Sequence, residues 1–245
     1  MNKKYDFIFS IGEACSCTQA LRNNFLQIAS FPFDWLFGSN FIGRCKILTQ
    51  EFERFIEKDD LEYSYEERSI SCQAYHNKFN DITFNHDFKK DMPFEDAYKE
   101  VFEKYQRRIK RLFDEIQNAK SVLIVYIESP LTNHINIENS EITEGFNILK
   151  NKFGDKINLL YVKYTKDKYT TEELQPKLTK IEWDYKDYDG EQDHMVIMKK
   201  LQKAISGFEL KKTAQYKLQH FVMKNLIKLI PHKSTRHKLR KKYHI

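Results

Sequence analysis

The strongest constraint on the fold is a pair of nearly uninterrupted apolar runs, FIFSI at residues 7–11 and SVLIVYI at residues 121–127. Side chains alternate between the two faces of a strand, so a strand that is apolar throughout must be covered on both faces. Segments with helical periodicity follow both runs, and INLLYVKY and KIEWDY supply two further strands. This alternation predicts an α/β fold, a mostly parallel, Rossmann-like three-layer sheet flanked by helices.

Other segments add elements around this sheet. Helical periodicity predicts helices at residues 39–57, 94–118, 139–153 and 194–208. The stretch between Tyr63 and Phe88 instead alternates polar and apolar residues around a turn signal at Asn80-Asp81. We interpret it as a hairpin or small β insertion.

Charge divides the chain unevenly. Residues 211–245 contain eleven Lys and Arg and no Asp or Glu, whereas residues 1–210 carry 30 basic against 35 acidic side chains. We therefore predict an α/β domain over 1–210 and a basic amphipathic helical tail over 211–245. Such a tail suits an anionic membrane surface. A solvated extension and non-specific nucleic-acid binding are the alternatives, but no module for specific nucleic-acid recognition accompanies it.

Cys15 is the candidate nucleophile. It follows the first apolar run and Gly12, and it falls in the first turn of a predicted helix. The positive end of the helix dipole lowers a thiol pKa there, and a thiolate is the nucleophilic form. The alternative is simple burial, because cysteine also packs as a small apolar residue.

A cysteine nucleophile needs a base and a group that orients it. His86, in FNHDF, is our candidate base, and His194, after the last predicted strand, competes with it. Asp34, enclosed by aromatic residues in FPFDW, and the neighbouring Asp87 are the candidate acids. Asp34 could equally be a cap or turn residue.

Arg107 and Arg108, on the long predicted helix, are candidates for binding an anionic substrate group, together with His194. A solvated basic helix face is the alternative. The spacing of Cys15 and Cys17 is too tight for a zinc site, and no phosphate loop or GxGxxG motif is present, so we expect no metal and no cofactor.

The ordered segments SIGEACSCTQAL, FPFDW, ITFNHDF, YQRRIKRL and SVLIVYI resemble DUF1796, a bacterial family of otherwise unknown function described as papain-like cysteine peptidases. The resemblance covers roughly residues 5–205. It implies Cys15 as nucleophile and His86 as its histidine, with Asp34 and Asp87 as acids. It also implies a link to the cell envelope and to surface-polysaccharide metabolism.

Together these features predict a cysteine-dependent hydrolase or acyl transferase that acts on a peptide, acyl or glycan substrate. The alternative is a glycan-biosynthesis enzyme or binding protein at the membrane surface, in which Cys15 only packs. The apolar stretch at the start breaks at Gly12 and Glu13, too early for a signal core or membrane span. A cytoplasmic location is therefore expected, with the basic tail as a possible means of peripheral attachment to the inner face of the membrane.

Overall fold

A computed structural model describes residues 3–65, 69–128, 137–165, 170–184, 205–236 and 239. Its strands are β1 (Lys3–Tyr5), β2 (Phe7–Ser10), β3 (Leu36–Gly38), β4 (Leu61–Ser64), β5 (Cys72–Asn77), β6 (Ile82–Lys89), β7 (Val122–Ile127), β8 (Ile157–Thr165), β9 (Thr170–Gln175), β10 (Leu178–Asp184) and β11 (Phe208–Leu210). Its helices are α1 (Cys15–Asn23), α2 (Phe41–Thr49), α3 (Phe94–Asn118), α4 (Asn139–Phe153) and α5 (Thr213–Lys228), with a short 3-10 helix at Lys58–Asp60.

The central sheet has the strand order β2-β7-β8-β10-β9. Its first four strands are parallel, with Phe9 opposite Ile124 and Val125 opposite Leu160, and the edge strand β9 is antiparallel to β10. Every residue of β2 and β7 is buried. The predicted parallel core is therefore confirmed, and the carboxyl ends of β2, β7, β8 and β10 lie along one edge.

A second, four-stranded antiparallel sheet, ordered β3-β6-β5-β4, shows that the fold is mixed α/β rather than mostly parallel throughout. The predicted small β insertion forms three of its strands, with the hairpin turn at Asn80-Asp81 where Asp81 has φ +53°. The fourth strand, β3, is only three residues long. It gains its register from β6, through the pairing of Leu36 with Phe84, so nothing local in the sequence marked it.

Helices cover both faces of the central sheet. One face carries a cluster in which Phe7, Phe9 and Ile124 pack with residues of α2, α3, α4 and the antiparallel sheet. On the other face, Ile8 and Val125 pack with apolar residues of α1. The alternating sides of β2 therefore feed two separate cores, as the uninterrupted apolar run required.

Helix boundaries agree closely for α3 and α4, whose predicted and observed limits coincide. The helix predicted over 39–57 is wrong in its second half. It ends at Thr49, and Glu51, Phe52 and Arg54 then adopt left-handed backbone conformations in a turn. The helix predicted over 194–208 lies largely outside the described residues. Of its described positions, Ile205 is helical and Ser206 and Gly207 form a turn. Phe208 is already the first residue of β11, which pairs with β1.

The tail contains the helix α5, as predicted, whereas the division of the chain at residue 210 stays a prediction. None of the helices in the described ranges is both long enough and apolar enough to cross a membrane.

Candidate active site

Cys15 is the first residue of α1, directly beyond the turn that follows β2. The preceding Ala14 is extended and provides no side-chain cap. The first N–H groups of a helix have no partner within the helix, and they carry its positive partial charge. Cys15 is only partly buried. As the first residue of α1, it lies where backbone dipoles favour a negative charge on its thiol.

Gly12 allows α1 to approach the sheet closely. A Cβ atom at this position would lie 2.5 Å from Cβ of Cys17 and 3.3 Å from the backbone nitrogen of Ile127. The first distance is too short for any side chain, and the second is tight. The glycine is therefore required by packing against α1 and β7, which fixes the start of α1 against the end of the sheet.

The buried guanidinium of Arg44, on α2, holds the same turn from the other side. Its Nη1 donates to the carbonyl oxygen of Gly12 at 2.6 Å, and its Nη2 donates to those of Leu36 and Gly38 at 3.3 and 2.8 Å. Burial lowers the pKa of Arg44, whereas the nearby Tyr126 and Glu13 raise it. Arg44 thus ties the segment before Cys15 to β3.

Cys17 differs sharply from Cys15, although only one residue separates them. Its side chain is fully buried, and its Sγ lies 3.6 Å from the carbonyl oxygen of Val125, to which it donates. Burial raises the pKa of Cys17 to about 12. Cys17 is therefore a packing residue, and the burial that we weighed as the alternative for Cys15 applies to its neighbour.

Two carboxyl–phenol pairs lie at the carboxyl edge of the central sheet. Tyr126 donates to Glu13, and the hydroxyl of Tyr161 donates to Oε1 of Glu128 at 2.7 Å. The two rings stack at 5.0 Å, and Phe41 packs edge-on against both. Burial, followed by the adjacent carboxylates, raises the pKa of both phenols.

The sequence assigned no role to either pair. The signal was weak, because a tyrosine in an apolar strand normally indicates packing alone. The paired carboxylates lie beside the turn that carries Cys15, so this edge combines a thiol with buried acids.

Asp34 is completely buried among protein donors. It accepts hydrogen bonds from the Thr18 hydroxyl at 2.8 Å, from Nε2 of Gln27 at 2.7 Å and from the Phe31 amide at 3.0 Å. It also pairs with Arg22 at 3.3 Å. Burial raises the pKa of Asp34, and Arg22 opposes that effect most strongly. The carboxylate therefore anchors the loop after α1 to two side chains of that helix.

The other predicted site residues surround a pocket between β6 and α3. His86, Asp87, Arg107 and Arg108 all line it, and Trp35 forms part of its wall. His86 is exposed, whereas the Asp87 carboxylate accepts the Tyr105 hydroxyl at 2.9 Å and pairs with Lys104. Asp87 thus binds α3, and it makes no hydrogen bond to the adjacent imidazole.

The structure accordingly separates the predicted site residues into two groups. Cys15 and Asp34 are not among the residues that line the pocket of His86. His194 lies outside the described residues. Its position in the sequence is ten residues after β10, which ends at the same edge of the sheet as β2.

In the parts of the chain that the structure describes, no group of three or more His, Cys, Asp or Glu side chains could hold a metal ion.

Comparison with known proteins gives one match. Neither the curated proteins nor the solved structures include a significant relative. A family model described as "Putative papain-like cysteine peptidase (DUF1796)" matches residues 6–152. The match begins before Cys15, includes both groups of predicted site residues up to Arg108, and ends within α4. Because it spans more than half of the sequence, the chain belongs to this family.

Proposed function

We propose that the protein is a cysteine-dependent hydrolase or acyl transferase in which Cys15 attacks the carbonyl carbon of a peptide or other acyl group. The observation that carries the proposal is the placement of Cys15. It is a partly exposed thiol on the first residue of a helix, at the carboxyl edge of a parallel sheet. Ligands of open α/β sheets bind at this edge. Membership of a family described as cysteine peptidases supports the same chemistry.

The reaction follows from nucleophilic catalysis. The thiolate sulfur bonds to the carbonyl carbon, and backbone N–H groups of the first turn of α1 stabilise the resulting oxyanion. A histidine imidazole accepts the proton of the Cys15 thiol and becomes an imidazolium. Collapse of the intermediate breaks the bond to the leaving amine or alcohol, which takes that proton back from the imidazolium. Water then cleaves the thioester in a hydrolase, whereas an acceptor hydroxyl or amine does so in an acyl transferase.

The imidazole is one of two histidines. His86 corresponds to the histidine that the family resemblance implies. His194 follows β10, whose end lies on the same edge of the sheet as Cys15. If His86 is the base, its substitution should alter the reactivity of Cys15; if His194 is the base, the substitution of His194 should. One set of measurements therefore distinguishes the two assignments.

Alkylation by iodoacetamide tests the proposal without a known substrate. We expect Cys15 in the full chain to react at pH 7 at least about tenfold faster than N-acetylcysteine, because a larger fraction is thiolate. Cys15→Ser should remove the fast phase, whereas Cys72→Ser, which changes a thiol in the other pocket, should retain it. The rate is measured by mass spectrometry of the labelled peptides between pH 5 and 9.

Substitution of the base should move the pH at which Cys15 reacts half-maximally upward by about one unit. His86→Asn and His194→Asn are compared, and the residue whose loss produces this change is the base. If Cys15 reacts no faster than N-acetylcysteine at pH 7, the proposed nucleophile is wrong. If neither histidine variant changes the profile, the proposed Cys–His pair is wrong.

A further inference from the structure

The pocket between β6 and α3 has a volume of about 820 Å³ and an unusually charged lining. Five Lys and Arg and four Asp and Glu side chains contribute to it. Three ion pairs account for most of them: Lys104 with Asp87, Lys89 with Glu100, and Arg107 with Glu103. Arg108 belongs to none of these pairs.

Arg108 has an unsatisfied donor. Its Nη1 is buried and has no hydrogen-bond partner among the described residues. The guanidinium lies over the ring of Tyr105, 5.2 Å from its centroid, and its charge lowers the pKa of both Asp34 and Tyr105 against the effect of burial. Leaving a buried charged donor unpaired costs more free energy than leaving a neutral donor unpaired. Arg108 also lines the pocket, so an anionic acceptor that binds its guanidinium there would offset that cost.

We propose that this pocket binds a small molecule that carries a phosphate group, with Arg108 as its anchoring cation. A guanidinium binds phosphate through two parallel N–H groups, and a phosphate has enough acceptor oxygens to satisfy further donors on the same wall. Trp35 supplies a flat apolar surface for the remainder of the molecule. Because Cys15 does not line this pocket, the proposal goes beyond the cysteine chemistry and does not depend on it.

Inorganic phosphate is the probe, titrated into the full chain by calorimetry at constant ionic strength. We expect saturable binding that Arg108→Gln weakens at least about tenfold, since one charged hydrogen-bonded contact is lost. Lys110→Gln is the matched control. It removes a positive charge from the same helix at a side chain that is 75% exposed and pairs with Asp114. It should change the affinity less than about twofold.

Three outcomes would overturn this assignment. They are phosphate binding that does not saturate, equal weakening of phosphate binding by Arg108→Gln and Lys110→Gln, and chloride that binds the pocket as tightly as phosphate does. Cys15→Ser serves to separate the two proposals. It should bind phosphate as the unsubstituted chain does, so a failed alkylation test and a failed phosphate titration have different consequences.

A second, independent surface lies on α5. Its Ile227 is 1% exposed and faces the protein. Five large apolar side chains on the other side, the last of them at the C-cap, are 43–78% exposed: Leu218, Phe221, Val222, Leu226 and Leu229. Their spacing of three, four, eight and eleven residues from the first places them in one stripe along the helix. A contiguous stripe of five exposed apolar side chains marks an interaction surface.

Basic side chains border this stripe. Lys217, Lys224 and Lys228 recur on one flank of α5 and are exposed, and residues 211–245 contain no acidic side chain. An apolar face with a cationic border is complementary to the interface of an anionic bilayer, where acyl chains meet negative headgroups. We infer that α5 lies in the plane of an anionic membrane surface, with the apolar stripe inserted.

Co-sedimentation with phosphatidylcholine vesicles, with and without phosphatidylglycerol, tests this inference. The full chain should bind the anionic vesicles more tightly. The double variant Leu218→Ser, Phe221→Ser should lose at least about tenfold in partitioning, since two large apolar side chains no longer insert. Gln219→Ser, at an exposed polar position of the same helix, should have no effect.

Equal sedimentation of the full chain and the double variant would rule out this surface as the membrane contact. Size-exclusion chromatography covers the competing explanation. If the chain is a dimer that the double variant converts to a monomer, and vesicles are not bound, the stripe is an interface between copies and the membrane assignment is wrong.

Discussion

Arg44→Met is expected to lower the free energy of unfolding by about 3–5 kcal/mol. The substitution keeps much of the volume of the side chain but removes the donors that bind the carbonyl oxygens of Gly12, Leu36 and Gly38. Each buried acceptor that loses its partner costs about 1–3 kcal/mol. Relief of the buried charge offsets part of this sum, because burying a guanidinium is itself unfavourable. Urea denaturation at pH 7 measures the difference.

Two variants make this result specific. Arg44→Lys retains the charge, but a single ammonium cannot reach both Gly12 and Gly38, so we expect roughly half of the loss. Arg107→Met removes an arginine whose side chain is 64% exposed, and it should cost less than about 1 kcal/mol. A loss below 1 kcal/mol for Arg44→Met would show that the turn before Cys15 holds its shape without the guanidinium.

Arg44 also shows where inference from the sequence stops. It lies in FIGRCKILT, on a helix whose other buried residues are apolar, and there an isolated arginine is normally solvent-facing. Its partners are backbone carbonyls contributed by β3 and by the turn after β2. Every residue has a carbonyl oxygen, so the residue types do not indicate which carbonyl groups bind Arg44. These hydrogen bonds are visible only in the tertiary structure.

The central sheet was predictable because the apolar composition of its central strands indicates that they are buried. β2 and β7 are apolar throughout, and only a sheet covered on both faces accommodates them. The edge strand β9 is different. Its sequence, TTEELQ, is mostly polar and exposed, because it pairs with one neighbour and has little to bury. β1 and β11 are three residues each and depend on one another, which no local pattern reveals.

The site was predictable in part for a related reason. Placing Cys15 at the start of a helix needed only the succession of strand, glycine and helix. Relating it to His86 needed the arrangement of the antiparallel sheet, which forms a separate layer of the fold. For Asp34 the sequence left a catalytic acid and a cap or turn residue open, and the structure shows its carboxylate buried and paired. Its partners, Thr18 and Arg22, come from α1 and could not be named from the sequence.

The protein should lose stability steeply above pH 9. Burial raises the pKa of several thiols and phenols in the described chain, and the five most deeply buried are Cys17, Cys45, Tyr105, Tyr126 and Tyr161. Each therefore keeps its proton in the folded state after the unfolded chain has released it. Their contribution is complete below the unfolded pKa values of 9.0 and 10.0 and is lost as the pH rises toward the folded values.

Each group adds a slope of up to about 1.4 kcal/mol per pH unit, so five give about 7 kcal/mol per unit at full effect. A domain with a typical stability of about 5–15 kcal/mol should then unfold within roughly two units above pH 10. Urea denaturation at pH 7, 8, 9, 10 and 10.5, with a reducing agent present, gives the slope directly.

Cys17→Ala separates proton linkage from packing. The cavity that it leaves lowers the free energy of unfolding equally at every pH, whereas the missing thiol removes a slope that begins near pH 9 because the folded pKa is about 12. The curve of the variant should therefore start lower and fall less steeply between pH 9 and 10.5. If the two curves run parallel throughout, Cys17 is not buried as a neutral thiol. The contrast with a reactive Cys15 would then lose its physical basis, because the same helix start would favour ionisation of both cysteines.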